Sequence, residues 1–299
     1  MLTKTLIYIA GPTGVGKTKT SIALAKAFST EIISCDSRQF YKEMKIGTAA
    51  PTKGELSDVK HHFIQSKSIN DNYTVANFEN EAINTIENIF KEKNTLIMVG
   101  GSGMYADAVM FGMDKFPEIP QEIRSQLKVF NETHGIKGLN KLLKERDPKY
   151  YNQVDLKNPA RILRALEVSI ASNKPYSSFL GKKREPRSFI SKMIILHRPR
   201  KILYEKINKR VDQMIKSGLE NEVRSLIPYK ANLALQTVGY KEFFPYFEGD
   251  WTKEEAIKEI KKNTRRYAKR QITWFKKYDN AICFPANSSV DEIYKLLKD

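Results

Sequence analysis

GPTGVGKT occupies residues 11–18, directly behind the apolar run TLIYIA at 5–10. The pattern G-x-x-x-x-G-K-[ST] is met by Gly11, Gly16, Lys17 and Thr18, with Pro12, Thr13, Gly14 and Val15 filling the loop between them. An apolar strand pattern in front and a helical run over 20–28 behind give the setting in which such a loop cradles phosphates. Its glycines let backbone N–H groups turn toward an anion, the Lys17 ammonium can reach the outer oxygens, and the Thr18 hydroxyl is the expected ligand for Mg²⁺. A plain glycine turn would not require lysine followed by threonine. The loop therefore predicts a di- or triphosphate ligand and leaves open whether it is hydrolysed, transferred or discarded.

Strand patterns recur downstream. Residues 32–35 (IISC) read as a buried strand that delivers Asp36, and 96–99 (LIMV) read as a third that feeds the glycines of VGGSGMY. Strand, helix and strand in this order predict a right-handed parallel unit, and ligands of such sheets gather at the carboxyl ends of the strands. The fold class expected is α/β, a P-loop NTPase-like parallel sheet flanked by helices, with Asp36 and residues 100–105 converging on the phosphate loop. From about residue 116 the periodicity turns helical, with Pro120 in a first turn, Gly135 as a stop, and NPARILRALEVSIASNKP as a second amphipathic helix. This predicts an all-helical insertion over 115–187 and a core made of 1–114 and 188–299. FISKMIILHRPR reads as a further core strand, and helices are expected from there to the end, the last opened by Ser289 and Glu292 in a capping-box pattern.

The 299 residues carry 51 Lys and Arg against 34 Asp and Glu, a formal net charge of +17. An excess of that size points first to a polyanionic partner. Cys35 and Cys283 are too few for a disulfide framework and lack metal-site spacing, which suits a reducing compartment. No apolar stretch approaches a membrane span, so a cytoplasmic protein with no membrane partner is expected, and a monomer because no exposed apolar face is evident.

Phosphate-loop ATPases usually carry a second carboxylate on a buried strand, but LIMV ends in glycine. The carboxylate nearest a strand end is Asp36, a candidate general base, although CDSRQ is equally suited to an Asx turn. The adjacent His61 and His62 point different ways on any regular element, which argues for packing or a polar turn rather than a metal pair. Residues 261–277 (KKNTRRYAKRQITWFKK) hold eight basic residues and no acid. As a helix they place Lys262, Arg266 and Arg270 on one stripe and Arg265 and Lys269 on the next, with Ile260, Ala268, Ile272 and Phe275 inward. Without a lipid-seeking rim, this face suits a nucleic-acid backbone ahead of an ordinary solvated helix or a membrane surface. A second basic stretch, 182–201, lies where the insertion rejoins the core.

Taken together, GPTGVGKT, SCDSRQFYKEMKIGTAAP, HHFI, VGGSGMY, RALEV, RVDQMIKSGLENEV and NTRRYAKRQITWF resemble the tRNA dimethylallyltransferase family, in order and over nearly the whole chain. The resemblance implies transfer of a dimethylallyl group from dimethylallyl diphosphate to N6 of the adenosine just 3′ of the anticodon, in tRNAs reading codons that begin with U, with diphosphate as leaving group. It further implies that Asp36 takes the N6 proton. Thr13, Lys17, Thr18 with Mg²⁺, Ser102 and Arg210 would hold the diphosphate, and Ser37, Arg38 and Gln39 would read the flipped base and its neighbours. Arg124, Arg161 and Arg164 would contact the tRNA anticodon stem-loop. Family members often carry threonine where this chain has Ser102, which keeps the hydroxyl and loses a methyl. Two rival enzyme readings differ in what they consume: a small-molecule kinase would need ATP, and a transferase acting on free adenine nucleotides would be indifferent to RNA. A nucleotide-gated RNA-binding protein would make no covalent product.

Overall fold

The computed structural model describes residues 3–182 and 185–298, so Lys183 and Arg184 of the second basic stretch lie outside the described residues. Two compact units result, residues 1–111 with 187–299, and residues 112–186.

In the first unit the chain runs β1 (Thr5–Ala10), α1 (Lys17–Ala27), β2 (Ile32–Ser34), α2 (Lys53–Asp58), β3 (His61–His62), α3 (Val75–Ile89), β4 (Thr95–Val99) and α4 (Gly103–Phe111). The insertion follows as α5 (Gln121–Arg146), α6 (Pro148–Tyr151) and α7 (Pro159–Ser172). The chain then returns through β5 (Ile190–His197), α8 (Arg200–Lys216), α9 (Leu219–Ser225), α10 (Phe243–Glu248), α11 (Lys253–Phe275), β6 (Ile282–Pro285) and α12 (Val290–Lys298).

The six strands form one sheet in the order β3-β2-β4-β1-β5-β6, and every pairing is parallel. Alternation along β1 builds both layers. Leu6, Tyr8 and Ala10 pack against Phe78, Ala82 and Ile86 of α3 and Val109 of α4. Ile7 and Ile9 face Leu24 of α1, Leu203 and Ile207 of α8, and Ile293 of α12. A sheet covered on both faces explains why its strands read as continuous apolar runs. A third cluster, with Val211, Leu219, Val223, Phe243 and Ile260, knits α8 to α11.

Two short strands add to the expected pattern, one among the helices that dominate after β5 and one at the histidines, where packing or a polar turn was expected. β6 is four residues at the sheet edge, and β3 is the His61–His62 pair, too short for periodicity to register. In the insertion Gly135 takes φ 61° and ψ −168°, which breaks α5 into two segments where a stop was expected. Asn158 caps α7 by accepting from Arg161 N, and Ile162 and Leu166 are buried on its inner face. At α12 one arm of the expected capping box is present, Glu292 N donating to Ser289 Oγ at 3.1 Å. Among the described residues no helix is long and apolar enough to cross a membrane.

Candidate active site

Parallel pairing brings three strand ends to one edge of the sheet. Gly11 follows β1, Cys35 and Asp36 follow β2, and Gly100 follows β4, the strand between them. Their loops open on a cavity of about 950 Å³ lined by Thr13, Lys17, Thr18, Asp36, Ser102 and Arg210, among others.

The phosphate loop turns through left-handed backbone at Gly11 (φ 143°) and Gly16 (φ 116°). A Cβ on Gly11 would stand 2.7 Å from Leu196 O, so no larger residue fits there. Gly16 caps α1 without a side-chain acceptor, which leaves first-turn N–H groups for an anion. Lys17 Nζ donates to Gly11 O at 2.9 Å and Pro12 O at 3.1 Å. Burial lowers its pKa to about 8, the Asp36 carboxylate opposing and the Arg210 guanidinium adding to the shift. Gly11, Pro12 and Val15 are buried behind the loop, while Thr13, Gly14, Gly16, Lys17 and Thr18 line the cavity.

The far wall comes from α8 and α11. Gln271 Oε1 accepts from Thr13 N at 2.8 Å, and its Nε2 donates to Gly101 O at 2.9 Å. Arg210 Nη1 reaches Thr13 Oγ1 at 3.4 Å, and burial holds this guanidinium below its usual pKa. Arg198 Nε donates to Val15 O at 2.9 Å and braces the loop from outside.

Beside the loop, Asp36 Oδ1 accepts from Arg38 N at 3.1 Å. This is the Asx turn, and Asp36 lines the cavity as well, so the two readings of this residue coexist. Ser37 Oγ and Ser102 Oγ lie 3.0 Å apart, and Ser37 N donates to Ser102 Oγ at the same distance. Tyr267 joins them from α11. Burial and the Asp36 carboxylate push its phenol up to about 12, so it stays a neutral O–H, with the Ser102 hydroxyl pulling the other way.

Other expected residues are engaged differently. Arg38 donates to the carbonyls of Leu233 and Ala234 at 3.4 and 3.3 Å, tying its turn to the 233–239 segment. Gln39 Nε2 donates to Thr48 O and Ala49 O. On α11, Arg266, Lys269 and Arg270 are exposed, and Arg270 also lines the cavity, 5.7 Å from the Tyr267 ring centroid. The two neat basic stripes require correction. Lys262 is bound to Glu259 at 2.6 Å, Arg265 donates to Asn208 Oδ1 at 2.7 Å, and Ile272 is 38% exposed rather than inward. Within the helical unit Arg124 and Arg161 are exposed, and Arg164 pairs with Glu167 and lies over Phe116. His62 bonds Glu31 at 2.5 Å and His61 Nδ1 meets Val59 O at 2.7 Å. No group of three His, Cys, Asp or Glu among the described residues is placed to hold a metal ion.

Tyr267, Gln271 and Trp274 had no place in the sequence-based site, although they share it. Their spacing of four and three on one helix was available, but the basic residues between them drew the reading of this segment toward charge.

Residues 39–278 match the IPP transferase family. The chain belongs to this family. The tRNA dimethylallyltransferase of Flavobacterium johnsoniae is 51% identical, covering 97% of this chain and 96% of its own. That of Christiangramia forsetii is 53% identical over 91% and 90%. Among solved structures, the full-length tRNA isopentenylpyrophosphate transferase of Bacillus halodurans superposes with a TM-score of 0.73 at 36% identity, covering 99% of this chain and 96% of that one. A eukaryotic dimethylallyltransferase acting on tRNA gives 0.82 at 27% identity, over 95% and 74%. The family match starts after the phosphate loop, but the IPP transferase relatives span the loop too, so the site is compared as a whole.

Proposed function

We infer that this protein is a tRNA dimethylallyltransferase that moves the dimethylallyl group of dimethylallyl diphosphate onto N6 of the adenosine 3′ of the anticodon, in tRNAs reading codons that begin with U. The observation that carries the reading is that Asp36 lines the same cavity as the phosphate-loop residues Thr13, Lys17 and Thr18. A base and an anion cradle on either side of one space suit a nucleophile that loses a proton while a diphosphate departs.

The loop N–H groups, Lys17 and Arg210 hold the diphosphate, Lys17 leaving the carbonyls of Gly11 and Pro12 to do so. The target adenosine leaves the anticodon-loop stack and enters beside Ser37, Ser102 and Tyr267. N6 attacks the allylic carbon, the carbon–oxygen bond to diphosphate breaks, and the N6 proton passes to the Asp36 oxygen not committed to Arg38 N. Charge grows on the leaving oxygens, so fixed cations there favour the transition state over the ground state. Ser102 positions Ser37 and shares its hydroxyl with Tyr267.

The donor set suits Mg²⁺: a hard hydroxyl oxygen at Thr18, with substrate oxygens and water completing the shell in place of an all-protein cage. Bound there, Mg²⁺ supplies positive charge to the diphosphate. We assign residues 112–186, with Arg124, Arg161 and Arg164, to the anticodon stem-loop, and Arg266, Lys269 and Arg270 to its phosphates. The protein acts as a cytoplasmic monomer.

The test is incubation with labelled dimethylallyl diphosphate, Mg²⁺ and unmodified tRNA, beside AMP and ATP controls. Label on tRNA, lost with Asp36→Asn, is expected. Label on AMP, or ATP consumption with no label transfer, would overturn the reading.

A further inference from the structure

Trp274 stands at the rim of the cavity with an unusually well-fixed indole. It follows Arg270 by one turn of α11 and Tyr267 by two, so the three share a helix face. Tyr267 lies inside, beside Asp36 and Ser102, whereas Trp274 is 38% exposed and its cavity neighbour Met104 is 49% exposed. The indole is held from several sides. Its Nε1–H donates to Tyr278 Oη at 3.4 Å, and the Lys277 ammonium sits 4.0 Å from the ring centroid. Asp107 in turn binds both Lys277 and the Tyr278 hydroxyl. Gly103, the first residue of α4, makes the room: a Cβ there would fall 2.0 Å from Trp274 Nε1.

A large aromatic ring held this firmly yet left partly in water is arranged for a flat apolar ligand. The surrounding chemistry selects a nucleobase. Arg266, Lys269 and Arg270 lie exposed on the same helix, and aromatic faces beside cations that track phosphates are how single-stranded nucleic acid is held. A base that swings out of a stack also strips one π-face from each neighbour it leaves behind. We propose that Trp274 is the stacking platform for a nucleotide flanking the target adenosine, taking the place of the base that has left. The proposal rests on the cavity receiving a flipped adenosine from an anticodon loop.

The chain has two tryptophans, so in Trp251→Phe the fluorescence reports on Trp274 alone. Titration of that variant with unmodified anticodon stem-loop RNA should quench it. A stem-loop made abasic at one nucleotide flanking the target should quench less and bind about tenfold more weakly, the loss of one base–aromatic stack. Trp274→Ala should raise KM for the RNA about tenfold, with kcat within about twofold and KM for dimethylallyl diphosphate unchanged, and Trp274→Phe should recover most of the loss. Equal quenching by RNAs abasic on either side overturns the platform. So does a Trp274→Ala effect confined to KM for dimethylallyl diphosphate, which would place the indole against the prenyl tail. Normal transfer to tRNA with no tryptophan response sinks the platform alone, whereas no transfer by the unaltered protein sinks the functional reading beneath it.

Discussion

Gln271 accepts the backbone N–H of Thr13 at 2.8 Å across 258 residues of chain, and so couples the last long helix to the first loop. The same amide donates to Gly101 O, which makes its orientation unambiguous. Gln271→Leu should leave the Thr13 N–H and Gly101 O without these partners and cost about 1–3 kcal/mol, measured by denaturant unfolding. Gln271→Glu should keep the acceptor but place negative charge against a carbonyl and near the diphosphate. Its KM for dimethylallyl diphosphate should therefore rise further than that of Gln271→Leu.

Asp36 Oδ1 accepts from Arg38 N in the turn, and the proposed base is its other oxygen. Asp36→Asn keeps the acceptor for Arg38 N and removes the base. The expected result is a fall in kcat of about 10²–10⁴, with affinity for the RNA retained in a binding assay.

Lys17 titrates near 8 in the free protein, and a bound diphosphate raises that value by pairing with the ammonium. Above pH 8 binding must therefore take up a proton, and dimethylallyl diphosphate affinity should weaken as pH rises from 8 to 9 while staying flat from 7 to 8. Calorimetry in buffers of different ionisation enthalpy reads the proton directly. Stability of the free protein moves the other way. The unfolded chain keeps the ordinary value near 10.5, so it binds more protons than the folded chain between about 8 and 10.5, and this group's contribution to stability rises with pH across that window.

Salt dependence should separate free cations from engaged ones. Arg266→Ala, Lys269→Ala and Arg270→Ala should each reduce the slope of log K for RNA against log salt by about one. Lys262→Ala, whose ammonium already holds Glu259, should change that slope by much less.

Glu222 is a test of stability away from the chemistry. It accepts the N–H groups of Lys45, Ile46 and Gly47 and the Tyr240 hydroxyl at 2.6 Å. Glu222→Ala strands these donors, and a loss of about 2–4 kcal/mol in unfolding free energy is expected, with Glu222→Gln intermediate.

The core of the fold was legible because β1, β2 and β4 are buried on both faces and therefore show as apolar runs, as does the MIIL stretch of β5, and the phosphate loop because its glycines and lysine serve no other common purpose. β6 escaped notice since an edge strand of four residues with a terminal Pro285 carries no pattern. Asp36, Ser102 and Arg210 were reached through motif and resemblance, and they line the same cavity. Gln271 and Tyr267 were not reached, because a glutamine that satisfies a backbone N–H from a distant loop looks, in one dimension, like any polar helix residue. The fate of Arg265 was equally hidden, since Asn208 becomes its partner only when α11 packs on α8, whereas the Lys262–Glu259 pair is a local i,i+3 contact within α11.

The order in which the chain is synthesised gives the sheet topology a further meaning. β1 pairs with β4 on one side and with β5 on the other, and Ile190 is the first residue of β5. A ribosome that has completed residue 111 has already supplied the phosphate loop, Asp36 and Ser102. The central strand still has a bare flank, however, and Thr13 must await Gln271, translated 258 residues later. Domains fold as units during translation, so a nascent chain of that length holds the phosphate loop, Asp36 and Ser102 without the Gln271 and Arg210 contacts to Thr13 that complete their cradle. The phosphate loop is thereby completed only once α11 has been synthesised.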